Sequence, residues 1–169
     1  MRKLQLLCSM LLLTAFPVHA QLVFGPADAD TENVSLQSTQ HSDSLREILI
    51  NALSLEGVRY RYGGSSPETG FDCSGFVRYV FKEAANISLP HNARAISRIG
   101  EIISRHQLQP GDLVFFNTMR SAFSHVGIYI GNNRFIHAPS SGGGVEVVDM
   151  NEDYWTRRFD GARRILHRN

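Results

Sequence analysis

The apolar positions of the chain change their period several times, and each change marks an element. Residues 4–16 are largely apolar behind a positive start at Arg2 and Lys3, whereas residues 21 to about 42 are poor in bulky apolar side chains and rich in Asp, Ser, Thr and Gln. Leu45, Ile48, Leu49, Ala52 and Leu53 then recur at helical spacing until Gly57, which predicts a helix opening on the capping pair Ser44 and Glu47. A second helix is predicted from Cys73, with Phe76, Val77, Val80, Phe81 and Ala84 on one face, and a short helical turn at 93–99. After Pro110-Gly111 the period falls to that of strands, predicted at 113–116, 125–130, 134–137, 145–148 and 163–166. Helices followed by antiparallel strands define an α+β chain, with the N-terminal helices packed on a central sheet.

Composition adds bounds. With 169 residues, 43% hydrophobic and 20% charged, the chain suits one globular domain. A formal net charge of +1 and basic runs no longer than Arg157-Arg158 or Arg163-Arg164 give no sign of nucleic-acid binding. The positive start, the apolar stretch and Val18-His19-Ala20 have the layout of a secretory signal peptide at 1–20, too short for a permanent bilayer span. The expected organisation is therefore signal 1–20, flexible leader 21–43 and one folded domain at 44–169, in an exported, periplasmic and monomeric protein that meets the membrane through its signal alone. A lipid anchor at Cys8 is the alternative, although Leu7 is bulky for that cleavage. Removal of 1–20 leaves 15 basic against 16 acidic side chains and makes Cys73 the sole cysteine, so no disulfide is expected within the chain.

Cys73 stands where a loop becomes a helix, and unpaired N–H groups at such a terminus favour a thiolate. His41 lies in the leader, His106 in a polar loop and His167 in the tail, whereas His125 and His137 stand on adjacent predicted strands. If Gly131-Asn132-Asn133 forms a three-residue hairpin loop, Tyr129 faces Phe135 and Gly127 faces His137. His125, Gly127, Tyr129, Phe135 and His137 then share one face, whereas a two-residue loop would put His137 on the opposite face. In the first register Cys73 is the nucleophile, His125 its base and His137 the group that orients His125. A neutral third member implies reliance on a depressed thiol pKa. Oxyanion donors are expected from the Cys73 amide and from a tyrosine of Tyr60-Arg61-Tyr62. A lone cysteine with two histidines and no nearby carboxylate makes an incomplete metal set, so neither metal nor cofactor is expected.

Five segments carry a resemblance: Tyr60-Arg61-Tyr62-Gly63-Gly64, Phe71-Asp72-Cys73-Ser74-Gly75-Phe76, Leu108-Gln109-Pro110-Gly111-Asp112-Leu113-Val114-Phe115-Phe116, His125-Val126-Gly127-Ile128-Tyr129-Ile130-Gly131 and Phe135-Ile136-His137-Ala138. In this order, and with the tail around Tyr154-Trp155 and Ala162-Arg163-Arg164, they resemble the NlpC/P60 family of bacterial cell-wall cysteine peptidases over residues 44 to 167. The resemblance implies a papain-like fold and a Cys-His-His triad on Cys73, His125 and His137. Tyr60 would lie near the oxyanion, with Asp72 and Ser74 on the same oxyanion and substrate side. The implied substrate is peptidoglycan, at stem peptides or cross-links containing D-amino acids and diaminopimelate, and the likeness is to small Gram-negative murein endopeptidases. Leu89-Pro90-His91 departs from the Leu-Pro-Arg often found in such relatives. A non-catalytic wall-binding scaffold and a papain-like amidase or acyltransferase are the competing readings.

Overall fold

The computed structural model describes residues 29–141 and 143–166; the expected signal peptide, Cys8 and His167 lie outside them. Among the described residues four α-helices, α1 (Ala29–Ser54), α2 (Cys73–Ala85), α3 (Ala93–Ile96) and α4 (Asp153–Thr156), accompany eight strands. Strands β1 (Ser65–Ser66) and β2 (Gly70–Phe71) form a small ribbon. The remaining strands are β3 (Glu101–Ile103), β4 (Leu113–Phe116), β5 (His125–Gly131), β6 (Arg134–His137), β7 (Glu146–Asp149) and β8 (Phe159–Arg164). They build one antiparallel sheet in the order β3-β8-β4-β5-β6-β7. Helices and antiparallel sheet together are the expected α+β architecture.

Alternation along the central strands divides the core into two layers. Leu113, Phe115, Val126, Ile128 and Ile136 pack with Ile48 and Ala52 of α1 and with Phe76, Val77, Val80 and Phe81 of α2. The other layer holds Val114, Phe116, Tyr129, Phe135, Met150, Trp155 and Ala162. Each large side chain so buried contributes about 1.5–3 kcal/mol of transfer free energy, which is what holds α2 and its first residue against the sheet.

The first helix begins earlier than its capping pair predicts. Residues 29–43, expected in the flexible leader, are helical, and Ser44 donates its hydroxyl to the Gln40 carbonyl inside the helix rather than capping it. Between Pro26 and Gly57 the chain contains neither proline nor glycine, so nothing local stops the helix at Ser44.

Strand β3 was not foreseen, since Glu101 and Ile102 are exposed and only Ile103 turns inward. Strand β8 starts at Phe159 rather than 163, and β7 runs at 146–149 rather than 145–148. Phe159-Asp160-Gly161-Ala162 has no alternating pattern to read. Its extension comes from pairing with β3 on one side and β4 on the other.

Beside the sheet, Asp112 is 2% exposed and accepts Nε and Nη2 of Arg164, each at 2.8 Å, together with the Gln109 N–H at 2.8 Å. This fork ties the Pro110-Gly111-Asp112 turn to the end of β8. Arg164→Ala leaves that carboxylate buried with its countercharge gone, and is expected to cost about 2–3 kcal/mol, discounted for the partial exposure of the arginine. Urea unfolding of the variant checks this; an unchanged midpoint would refute it.

Candidate active site

The helix that carries Cys73 is anchored by its neighbours. Asp72 is its N-cap: Oδ1 accepts the Gly75 N–H at 2.7 Å and the Ser74 hydroxyl at 2.9 Å. Oδ2 accepts the Gly63 N–H at 3.0 Å. Asp72 and Ser74, expected on the oxyanion and substrate side, are thus engaged in fixing the turn that presents the thiol. Phe71 is buried beneath, edge-on to Phe76, and pairs with Tyr60 through a parallel bridge.

Cys73 is partly exposed and free of any disulfide. Backbone amides of Val126, Ser74 and Cys73 itself are turned to the sulfur and favour its anion. Burial nevertheless wins and, with the Asp72 charge adding to it, pushes the thiol up to about 11. The expectation of a depressed thiol pKa is therefore corrected: the lost solvation of the anion outweighs the amides at the helix terminus. Tyr60 is half-buried, and its pKa is raised by burial first and then by charge on Cys73 and Asp72, which marks it as the thiol's neighbour. Tyr62 is 88% exposed.

His125 and His137 come together as the three-residue register requires, but by another route. The turn between β5 and β6 has two residues, Asn132 and Asn133, with φ of 53° and 56°, and Gly131 pairs with Arg134. A register shift between Tyr129 and Gly131 absorbs Ile130 and restores the pairing of Tyr129 with Phe135. The bulge cancels the inversion that a two-residue turn alone would cause. His125 Nε2 and His137 Nδ1 then meet in a 2.7 Å hydrogen bond, with the rings nearly perpendicular. Gly127 makes room, since a Cβ there would meet Phe135 Cδ2 at 2.6 Å, the Ile136 carbonyl at 2.8 Å and His137 Cβ at 3.1 Å.

Trp155 of α4 closes over the pair, its ring stacked 5.8 Å from His125 and edge-on to His137 at 5.0 Å. Burial lowers His125 to about 4, and burial together with the adjacent His125 lowers His137 to about 2. Both imidazoles are therefore neutral near pH 7. Of the remaining histidines, His91 is exposed, and exposed His106 faces the Ser104 hydroxyl at 3.3 Å. The sequence reading missed Glu146, whose carboxylate lies 3.7 Å from His137 Nε2, and the covering role of Trp155. As the single tryptophan of the chain, Trp155 was the available signal. For Glu146 none existed without the β6–β7 register.

No group of three or more His, Cys, Asp or Glu among the described residues could hold a metal ion. A helix presenting a cysteine at its first turn to an antiparallel strand that starts with a histidine defines a papain-like α+β protein. Comparison narrows this class. Residues 57–164 match the model of the NlpC/P60 family. The chain is 45% identical to murein DD-endopeptidase MepH of Escherichia coli, over 71% of its own length and 46% of that protein. It is 42% identical to the Escherichia coli protein named murein DD-endopeptidase MepS/murein LD-carboxypeptidase, over 82% of its length and 77% of that protein. A crystal structure of a lipoprotein-like NLP/P60 family protein from Staphylococcus aureus superposes with a TM-score of 0.65 at 38% identity, covering 73% of this chain and 42% of that one. The chain belongs to the NlpC/P60 family.

Proposed function

We propose that this protein is an exported cysteine endopeptidase that hydrolyses peptide bonds in peptidoglycan stem peptides or their cross-links. The observation that carries the reading is the buried 2.7 Å His125–His137 bond next to the Val126 amide that faces the Cys73 sulfur. The murein endopeptidase names of the relatives support the substrate class, and the signal-like start of the chain supports export.

The chemistry follows from the protonation states. His125 Nε2 is committed to His137, so Nδ1 is the nitrogen left for the thiol. A neutral thiol faces a neutral base, and the proton moves to Nδ1 as sulfur attacks the carbonyl carbon. The Cys73 amide and the Tyr60 hydroxyl are the donors assigned to the oxyanion. His125, now imidazolium, protonates the departing amine, and it then activates the water that releases the acyl group from sulfur. Low dielectric around the pair makes the imidazolium expensive, and the bond to His137 offsets part of that cost.

A thiol held near 11 loses its proton only in alkali, so its thiolate fraction rises with pH throughout the neutral range. Alkylation of Cys73 by iodoacetamide is expected to accelerate roughly tenfold per unit between pH 7 and pH 9. A rate already flat across that range would mean a preformed ion pair and overturn the neutral-pair mechanism. The function itself is tested by incubating the protein with purified peptidoglycan and resolving the muropeptides by mass spectrometry. Thiol-dependent new amino termini within the peptides are expected. Acylated acceptors, or binding without products, would contradict the proposal.

A further inference from the structure

The hydrogen-bond chain through the two imidazoles has an end that the mechanism has not used. For Nδ1 of His125 to act as a base it must be bare, so the ring's proton sits on Nε2 and is donated to Nδ1 of His137. A neutral His137 that accepts at Nδ1 must carry its own proton on Nε2. That atom is fully buried and has no hydrogen-bond partner among the described residues. An unmet buried donor or acceptor costs about 1–3 kcal/mol, so an acceptor placed beside Nε2 is enough to decide between the two tautomers of the ring.

The opposite arrangement removes the base and leaves at Nε2 a buried acceptor, equally without a partner, in place of the donor. If His137 donates from Nδ1, its Nε2 is left an acceptor, His125 accepts at Nε2, and the proton of His125 moves to Nδ1, the nitrogen assigned above to the thiol. An imidazole so arranged cannot take the thiol proton. Activity therefore depends on whatever makes the N–H form of His137 Nε2 favourable.

Glu146 is placed for that task. The antiparallel register sets it directly opposite His137 across β6 and β7, and its Oε1 lies 3.7 Å from Nε2. Its side chain is 49% exposed, so the carboxylate can shift the roughly 0.8 Å that separates this distance from an ordinary N–H···O bond of about 2.9 Å. The rings of Phe135 and Trp155 cover other sides of His137. The titratable partners that the described residues give it are His125 from β5 and Glu146 from β7. Burial keeps His137 neutral, so this contact is a neutral N–H facing a carboxylate.

We propose that Glu146 is a positioning residue: it accepts a hydrogen bond from His137 Nε2, sets the tautomers of both imidazoles and so leaves His125 Nδ1 free to act as base. The inference rests on the functional reading above in taking His125 as the base. During catalysis the same carboxylate favours the transient charge on His125 through the intervening ring, an effect weakened by its exposure to water.

Two variants and two readouts test this. Glu146→Val removes the acceptor while keeping a strand-compatible side chain. Glu146→Gln keeps an amide oxygen able to accept the bond. With soluble cross-linked muropeptide dimers as substrate, Glu146→Val is expected to lower kcat ten- to thirtyfold with KM changed less than twofold, and Glu146→Gln to recover at least half of the loss. Imidazole 15N spectra of the full chain at pH 7, with no substrate, should show His137 protonated at Nε2 in the wild type and in Glu146→Gln. In Glu146→Val the two tautomers should be mixed. Unchanged kcat in Glu146→Val, or a His137 tautomer indifferent to it, overturns the proposal. Cys73→Ala and His125→Ala are measured alongside. If they retain activity, the functional reading falls, whereas the tautomer spectra still decide the Glu146 contact.

Discussion

Cys73→Ala is expected to lower the hydrolysis of cross-linked muropeptides roughly ten-thousand-fold or more, while the free energy of unfolding changes by no more than about 1 kcal/mol. The rate loss follows because no other side chain at the site can form the covalent acyl intermediate. The stability follows from the small size of the change at a position that is only partly buried, at the first residue of α2, where the cap is supplied by Asp72 and not by the thiol. Cys73→Ser should fare little better. The environment that holds a thiol near 11 holds a hydroxyl far beyond reach of His125, whose own affinity for a proton is lowered to about 4. Substrate binding, measured by sedimentation with insoluble peptidoglycan, should survive in both variants. Wild-type turnover in Cys73→Ala would remove the nucleophile from the mechanism and the peptidase reading with it.

Gly75→Ala should be comparably damaging by a different route. A Cβ on Gly75 would sit 2.0 Å from the Gly64 carbonyl oxygen, 3.0 Å from its carbon and 3.2 Å from Ser65 Cα. These are backbone atoms with no rotamer to escape into. Gly64 is fixed in turn, because its N–H donates to the Arg61 carbonyl at 2.9 Å and its own carbonyl accepts the Asp72 N–H at 3.0 Å. Relief therefore requires the first turn of α2 to withdraw from the 61–65 loop. That movement would break the Asp72 bridge between Gly63 and Gly75 and carry Cys73 away from β5. A loss of about 3 kcal/mol or more is expected, lowering the melting temperature on the order of 10 °C, with activity falling at least a hundredfold from misplacement of the thiol. Gly143→Ala is the control, since a Cβ there meets nothing within 4 Å; it should stay within about 0.5 kcal/mol of the wild type. Equal melting of the two variants would show that the contact between Gly64 and Gly75 is not what holds the helix terminus.

The glycine contact and the triad differ in how they could be known in advance. Asp72-Cys73-Ser74-Gly75 announces a capped helix start from local chemistry, because capping involves atoms within three residues of one another. The apolar face of α2 and the alternation in β4, β5 and β6 are equally local, and these elements lie where the periodicity placed them. The same periodicity put His125 and His137 on one face only on the condition of a three-residue loop at 131–133, which the structure does not have. The hairpin was a closer matter: Asn132-Asn133 suits a two-residue turn with positive φ, and that turn alone would have separated the histidines. The bulge at Ile130 that reunites them has no marker in the sequence.

The chain by itself therefore determined the α+β class, the helix that begins at Cys73, the central strands and the three side chains of the proposed triad. The elements are specified by spacing over a few residues, whereas the meeting of the two histidines also needed the bulge at Ile130. Tertiary structure alone decided the pairing that makes strands of 101–103 and 159–164, the seating of Trp155 over both imidazoles, and the placement of Glu146 opposite His137. It also reversed the expected ionisation of the thiol. Pairing partners arrive from distant segments, and the withdrawal of water that sets a pKa depends on everything packed around the group. Neither is written in the residues next to it.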